Sequence, residues 1–192
     1  MSLIELLIGI AILAILLALG GTSFVAWIQN SQIRTAAESI QNGLQVARAE
    51  AVKQNKPVLF QLMTSVDGAC ALSTTDPNWV VSERDAQGAC ANTPSDSAAA
   101  PDPNIIQRRS AAEGSRNVFL GASQAAVAFN SLGRVTNAAA GNITIDVQNP
   151  TGGDCVAAGG NMRCLRLIAT TGGQIRMCDP AVTAATDSRV CP

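Results

Sequence analysis

Met1-Ser2-Leu3-Ile4-Glu5-Leu6-Leu7-Ile8-Gly9-Ile10-Ala11-Ile12-Leu13-Ala14-Ile15-Leu16-Leu17-Ala18-Leu19-Gly20-Gly21-Thr22-Ser23-Phe24-Val25-Ala26-Trp27-Ile28 opens the chain, and how it is read decides the fold. Its only charged residue is Glu5. Residues 6–28 carry no charge, and a helix rising about 1.5 Å per residue over that length reaches across the roughly 30 Å hydrocarbon layer of a bilayer. The expectation is a membrane span. A secretory signal peptide would need a basic segment before a shorter apolar run and a small-residue cleavage site after it. Nothing basic precedes this run, and no clear cleavage site follows.

From residue 29 the pattern changes. Ile33, Ala36, Ala37, Ile40, Leu44, Ala47 and Ala51 recur at helical spacing on one stripe, with Arg34 and Glu38 four apart on the polar side. Pro57 has no N–H and forces Lys56 toward extended geometry, so the helix is predicted to stop at 54–56. A single helix from the chain start to that point is far longer than the usual 11–12 residues. Gly20 and Gly21 are its weakest point, each costing about 1 kcal/mol relative to alanine, and a bend or local unwinding is expected there.

Beyond Pro57 the segments are short, rich in β-formers and punctuated by Gly, Asn, Pro and Asp: 58–63, 79–83, 105–109, 118–120, 126–130, 143–148, 164–169 and 174–178. In 142–148 the apolar Ile143, Ile145 and Val147 alternate with polar residues, as in a half-buried strand. The Pro- and Ser-rich stretch 92–104 reads as an exposed loop. The organisation is therefore an apolar helix half (1–28), an amphipathic helix half (29–56) and a β-rich head (57–192). The class is α+β, with a long helix packed on a mainly antiparallel sheet.

Composition narrows function by exclusion. At 192 residues the chain suits one head and one appendage. Hydrophobic residues make up 47% and charged residues 14%, with much of the excess before Ile28. The net charge of -1 gives no general reason to expect a nucleic-acid or anionic-membrane partner, and leaves only a local basic patch to consider. Histidine and tyrosine are absent, so the commonest acid–base side chain and metal ligand are missing. Cys70, Cys90, Cys155, Cys164, Cys178 and Cys191 all follow the helix, an even set that reads as disulfides in an oxidising compartment. Loop-closure entropy favours the local pairing of Cys70 with Cys90, Cys155 with Cys164 and Cys178 with Cys191. A zinc site or disulfide redox catalysis would want a CxxC, and none occurs. Asp67, Asp76, Asp85 and Asp96 lack the spacing of a calcium loop. Lys53 and Lys56 are the only lysines, which leaves a Ser–Lys hydrolase without support. No enzyme activity, metal or cofactor is expected.

Glu5 carries the remaining chemistry, because a carboxylate inside a membrane helix costs several kcal/mol unless protonated or paired. It either sits at headgroup level near the chain end or has a cationic partner. The α-amino group of residue 1 in a neighbouring copy, brought alongside by staggered helix packing, would serve. Trp27, at the end of the apolar run, reads as an interfacial anchor. Trp79 reads as core.

The stretch Met1 to Leu13, with Glu5 at its fifth position, resembles the mature start of the type IV pilin superfamily. Ile40-Gln41-Asn42-Gly43-Leu44-Gln45-Val46-Ala47-Arg48-Ala49-Glu50-Ala51-Val52-Lys53-Gln54-Asn55 is similar to the helix end of its GspH/FimT-like branch of minor pilins and pseudopilins. Ala128-Phe129-Asn130-Ser131-Leu132-Gly133-Arg134, Leu165-Arg166-Leu167-Ile168-Ala169 and Gly173-Gln174-Ile175-Arg176-Met177-Cys178-Asp179-Pro180 resemble its later motifs. The resemblance implies a leader removed by a prepilin peptidase, N-methylation of residue 1 (here Met1, where the family usually has phenylalanine) and assembly through Met1 and Glu5. It implies other pilin subunits, the inner membrane and the assembly machinery as partners. Localisation would pass from the inner membrane to a periplasm-spanning or cell-surface filament. The function expected is a structural subunit of a type IV pilus-type filament. The alternatives are a pseudopilin of type II secretion or a DNA-binding pilin in natural transformation. For DNA, some FimT-like proteins use Gly-Arg-x-Arg, whereas this chain has Gly173-Gln174-Ile175-Arg176, which leaves Arg163, Arg166 and Arg176 as candidate contacts.

Overall fold

The computed structural model describes residues 2–95, 102–138 and 141–192, and for residues 16–23 the backbone alone. Met1 and Asp96 therefore lie outside the described residues, as does the middle of the loop expected over 92–104. One helix, α1 (Leu3–Gln54), precedes eight strands: β1 (Val58–Met63), β2 (Asn78–Ser82), β3 (Ile105–Arg109), β4 (Phe119–Ala122), β5 (Ala126–Phe129), β6 (Ile143–Gln148), β7 (Leu165–Ala169) and β8 (Ile175–Cys178).

α1 runs without interruption through Gly20 and Gly21, so the expected local unwinding does not occur. Two glycines cost about 2 kcal/mol together, too little to break a helix flanked by strong helix formers such as Ala18 and Leu19. The helix ends where Pro57 requires. Asn55 takes the left-handed conformation at φ 52°, and the amides of Asn55 and Lys56 donate to the Val52 and Ala51 carbonyls.

The strands form two four-stranded antiparallel sheets, ordered β3-β2-β1-β5 and β4-β6-β7-β8. The long helix packed on an antiparallel β-sheet head is the α+β class expected from sequence, with the strands divided between two sheets. The sheets are stitched at both ends: Leu120 and Ala122 of β4 donate to Thr75 and Thr74 after β1, and Val135 donates to Thr171 after β7. Ile33, Ala36, Ala37, Ile40, Leu44, Ala47 and Ala51, the whole predicted stripe, are buried against both sheets. Burying Ile33, Ile40 and Leu44 stabilises the head by about 1.5–3 kcal/mol each. Disulfides join Cys70–Cys90, Cys155–Cys164 and Cys178–Cys191. The first lies in a second apolar cluster with Met63, Val80, Ala86 and Ile105.

Two glycines set how closely the layers approach. A Cβ on Gly43 would stand 2.7 Å from Phe60 Cε2 and 3.1 Å from the Trp79 ring, so α1 rests on that aromatic pair with no room for a side chain. The two rings lie 5.7 Å apart, and Trp79 Nε1 donates to Ser39 Oγ of α1 at 2.9 Å. At the far end of the head Gly173, at φ 85°, lies where a Cβ would run into the Gly133 carbonyl, joining the end loops of the two sheets. Substituting Gly43→Val should destabilise the head by about 2–3 kcal/mol through overpacking. Thermal unfolding followed by circular dichroism checks this, and an unchanged midpoint would contradict the close approach at Gly43.

Candidate functional site

The two halves of α1 meet different surroundings. From Ile33 onward its apolar stripe is covered by the head, whereas Leu3, Ile4, Leu6, Leu7, Ile8, Ile10, Ile12, Leu13 and Ile15 are all more than half exposed. Phe24 and Trp27 are also exposed, and their rings stack at 6.0 Å. Soluble monomers rarely leave so large a contiguous apolar surface bare, so this half is built to be covered by lipid or by other helices. Among the described residues, which leave out the side chains of 16–23, no helix is long and apolar enough to cross a membrane.

Glu5 lies in the first turn of α1, where its carboxylate accepts the Ser2 N–H at 3.4 Å, the long end of hydrogen bonding. A helix N-terminus favours an acid there. Among the described residues no cation pairs with it.

The three arginines considered for DNA are each engaged within the head. Arg163 Nη2 pairs with Asp179 Oδ2 at 3.0 Å, and the Asp179 side chain is only 6% exposed. Arg166 lies directly across from Asp146 on neighbouring strands and binds it through two contacts of 2.6 and 2.9 Å. Those hydrogen bonds hold the Arg166 pKa above its ordinary value. Arg176 donates to the Ser188 and Val190 carbonyls. It thereby folds the C-terminal tail, tied by Cys178–Cys191, back along β8. Within that tail Arg189 grips Asp187 at 2.7 and 3.1 Å and pushes the carboxyl down to about 2. The residues share a region but do not form a free cationic patch.

A half-open cleft of about 690 Å³ lies where α1 enters the head, between Trp27, Asn30 and Arg34 on the helix and Arg163, Asp179 and Arg189 on the head. Arg34 is paired with Glu38 at 2.7 Å. Asn30 Oδ1 accepts the Arg163 N–H at 2.8 Å, and Asn149 Nδ2 donates to Gln32 Oε1 at 3.3 Å, so polar side chains fasten the loop 149–163 to the helix. These contacts span more than a hundred residues, and local sequence carries no sign of them. Among the described residues no group of three or more His, Cys, Asp or Glu gathers where it could hold a metal ion.

Comparison with known proteins places this geometry. The family described as Type II transport protein GspH matches residues 36–173, from near the start of the buried stripe to the Gly173 turn. Two crystal forms of the type IV minor pilin FimU of Pseudomonas aeruginosa (strain PAO1) are similar in structure, each with a TM-score of 0.49. One is 16% identical, covering 79% of this chain and 97% of its own; the other is 18% identical, covering 80% and 92%. No curated protein matches the sequence. Because the family match takes in well over half of the residues, including most of the helix stripe and seven of the eight strands described, the chain belongs to the GspH family of type II transport proteins.

Proposed function

We propose that the chain is a structural subunit of a type IV pilus-type filament, held in the inner membrane by the first half of α1 until that half joins a bundle of equivalent helices. The head then forms the outer surface. The observation that carries this reading is the change along one continuous helix from apolar residues exposed on all sides to a single stripe buried in the head. Glu5 is the polar group that would favour the bundle, by taking the α-amino group of a neighbour's first residue in place of its own Ser2 N–H. The family description favours a second reading, in which the same architecture serves as a pseudopilin of a type II secretion system. Filaments sheared from the cell surface separate the two: a pilus subunit is recovered with them, and a periplasmic pseudopilin is not.

Two outcomes test the details. Glu5→Ala should leave the protein in the membrane fraction but sharply reduce its recovery in filaments, since a buried charge stripped of its partner costs about 3–5 kcal/mol. Recovery equal to the parent's would rule out the pairing. The detergent-purified chain should not retain duplex DNA at physiological ionic strength, because Arg163, Arg166 and Arg176 are already occupied. Three freed arginines would give a logarithmic salt slope of only about -2.7. Micromolar binding under those conditions, abolished by Arg176→Ala, would make a transformation role the leading one.

A further inference from the structure

One face of α1 changes character where the helix meets the head. Phe24, Trp27, Ser31, Arg34 and Glu38 follow one another three or four residues apart, so they share a narrow stripe of the helix. Phe24 and Trp27 are the exposed, stacked aromatics, and from Trp27 onward the stripe lines the cleft where α1 enters the head. Leu165 of β7, Met177 of β8 and Arg163 line it from the head. Leu165 and Met177 pack on the core yet stay only partly buried, because α1 brings Ser31 and Arg34 to this cleft rather than further apolar residues. An aromatic rim, an apolar floor and charged groups thus meet in one cleft, whose volume of about 690 Å³ is that of a small-molecule site.

Depth and charge say what the cleft suits. From Leu3 to Phe24 the helix rises about 32 Å, the thickness of a hydrocarbon layer. Asn30, whose Oδ1 accepts the Arg163 N–H, lies about 4.5 Å beyond Trp27, within the polar layer of about 5–7 Å that flanks the hydrocarbon. Arg34, Arg163 and Arg189 line the cleft, and each has its own carboxylate in Glu38, Asp179 and Asp187. These pairs carry no net charge, so a polyanion gains little there, whereas a ligand bearing both signs meets both. Partners for it remain among the described residues. Arg34 gives only Nε to Glu38 and Arg163 only Nη2 to Asp179, although a guanidinium has five N–H donors. Glu38 accepts from Arg34 through Oε1 alone. The Arg34 and Arg163 side chains are 76% and 60% exposed, which leaves both within reach of a ligand.

We propose that the cleft between α1 and the β7–β8 edge of the head binds a zwitterionic membrane phospholipid. Arg34 and Arg163 donate to its phosphate, Glu38 accepts from its ammonium, and its acyl chains lie along Trp27 and Phe24 toward the apolar half of α1. The order of groups along the helix stripe, aromatic and then charged, is the order of groups along such a lipid. The site rests on the membrane-held stage of the reading above and assigns that stage a lipid bound at the foot of the head.

The test uses the full-length chain purified in mild detergent and native mass spectrometry, with phosphatidylethanolamine or phosphatidylglycerol added. Phosphatidylethanolamine should be retained, one per chain, and more strongly than phosphatidylglycerol. Arg34→Gln should weaken that retention about tenfold, the size of a lost hydrogen bond to a charged group. Glu38→Gln should reverse the preference between the two lipids, since the cleft then carries net positive charge and lacks the acceptor for the ammonium. Both side chains are more than half exposed and lie outside the core, and an unchanged thermal midpoint shows that each variant keeps its fold. Equal retention of the two lipids, retention indifferent to Arg34→Gln, or displacement of the lipid by millimolar inorganic phosphate would overturn the site. Membrane fractionation is scored separately. A chain in the membrane fraction that retains no phosphatidylethanolamine refutes only this site, and a chain absent from that fraction refutes the anchoring and the site with it.

Discussion

The seating of one helix stripe into two sheets is the constraint on which the rest of the molecule depends. Neither sheet could bury its inner face without α1, and backbone hydrogen bonds tie the two sheets together where β4 meets 74–75 and where Val135 meets Thr171. Ile33, Ile40 and Leu44 supply the apolar volume, and the small residues Ala36, Ala37, Gly43, Ala47 and Ala51 let the backbone approach. At Gly43 that approach is closest, and the Phe60–Trp79 pair beneath it is locked to the helix by the Trp79–Ser39 hydrogen bond.

Around this core, polar groups act mainly as fasteners. Asn30 and Gln32 hold the 149–163 loop at the foot of the head, Arg176 holds the C-terminal tail, and Arg166 with Asp146 ties β6 to β7. Arg166 and Asp146 are each more than a third exposed, so their pairing contributes at most about 1 kcal/mol. Its effect is to occupy the charge. With Arg163, Arg166 and Arg176 engaged in this way, an extended polyanion would have to displace existing partners to bind there.

Much of the fold was legible because it rests on short-range signals. The stripe from Ile33 to Ala51 was readable from spacing, and every one of those residues is buried. The strand positions followed from β-formers between Gly, Pro and Asn, and they agree with the structure to within one or two residues. What local pattern could not show was long-range pairing. The allocation of strands to two sheets depends on register, which alternation within one strand does not determine. Arg163, Arg166 and Arg176 looked like a patch because the sequence lists charges without their partners. Local unwinding, one of the two outcomes expected at Gly20 and Gly21, is absent because propensity is a small term beside the cooperativity of a long apolar helix.

On the proposed reading, the apolar half of α1 leaves lipid and enters a bundle of its own kind, and the energetics of that exchange differ from ordinary folding. Hydrocarbon tails are as apolar as leucine, so Leu6, Ile10 and Leu13 gain almost no hydrophobic free energy by trading lipid for helices. The direction of the exchange must be set by whatever differs between the two environments. Glu5 is one such group, costly in hydrocarbon and satisfied beside a cation. Repeated along a lattice in which every subunit makes the same pairing, it biases each copy toward the filament, and a copy lacking the carboxylate would lose that bias while keeping its fold, because Glu5 lies outside the core that α1 and the sheets enclose.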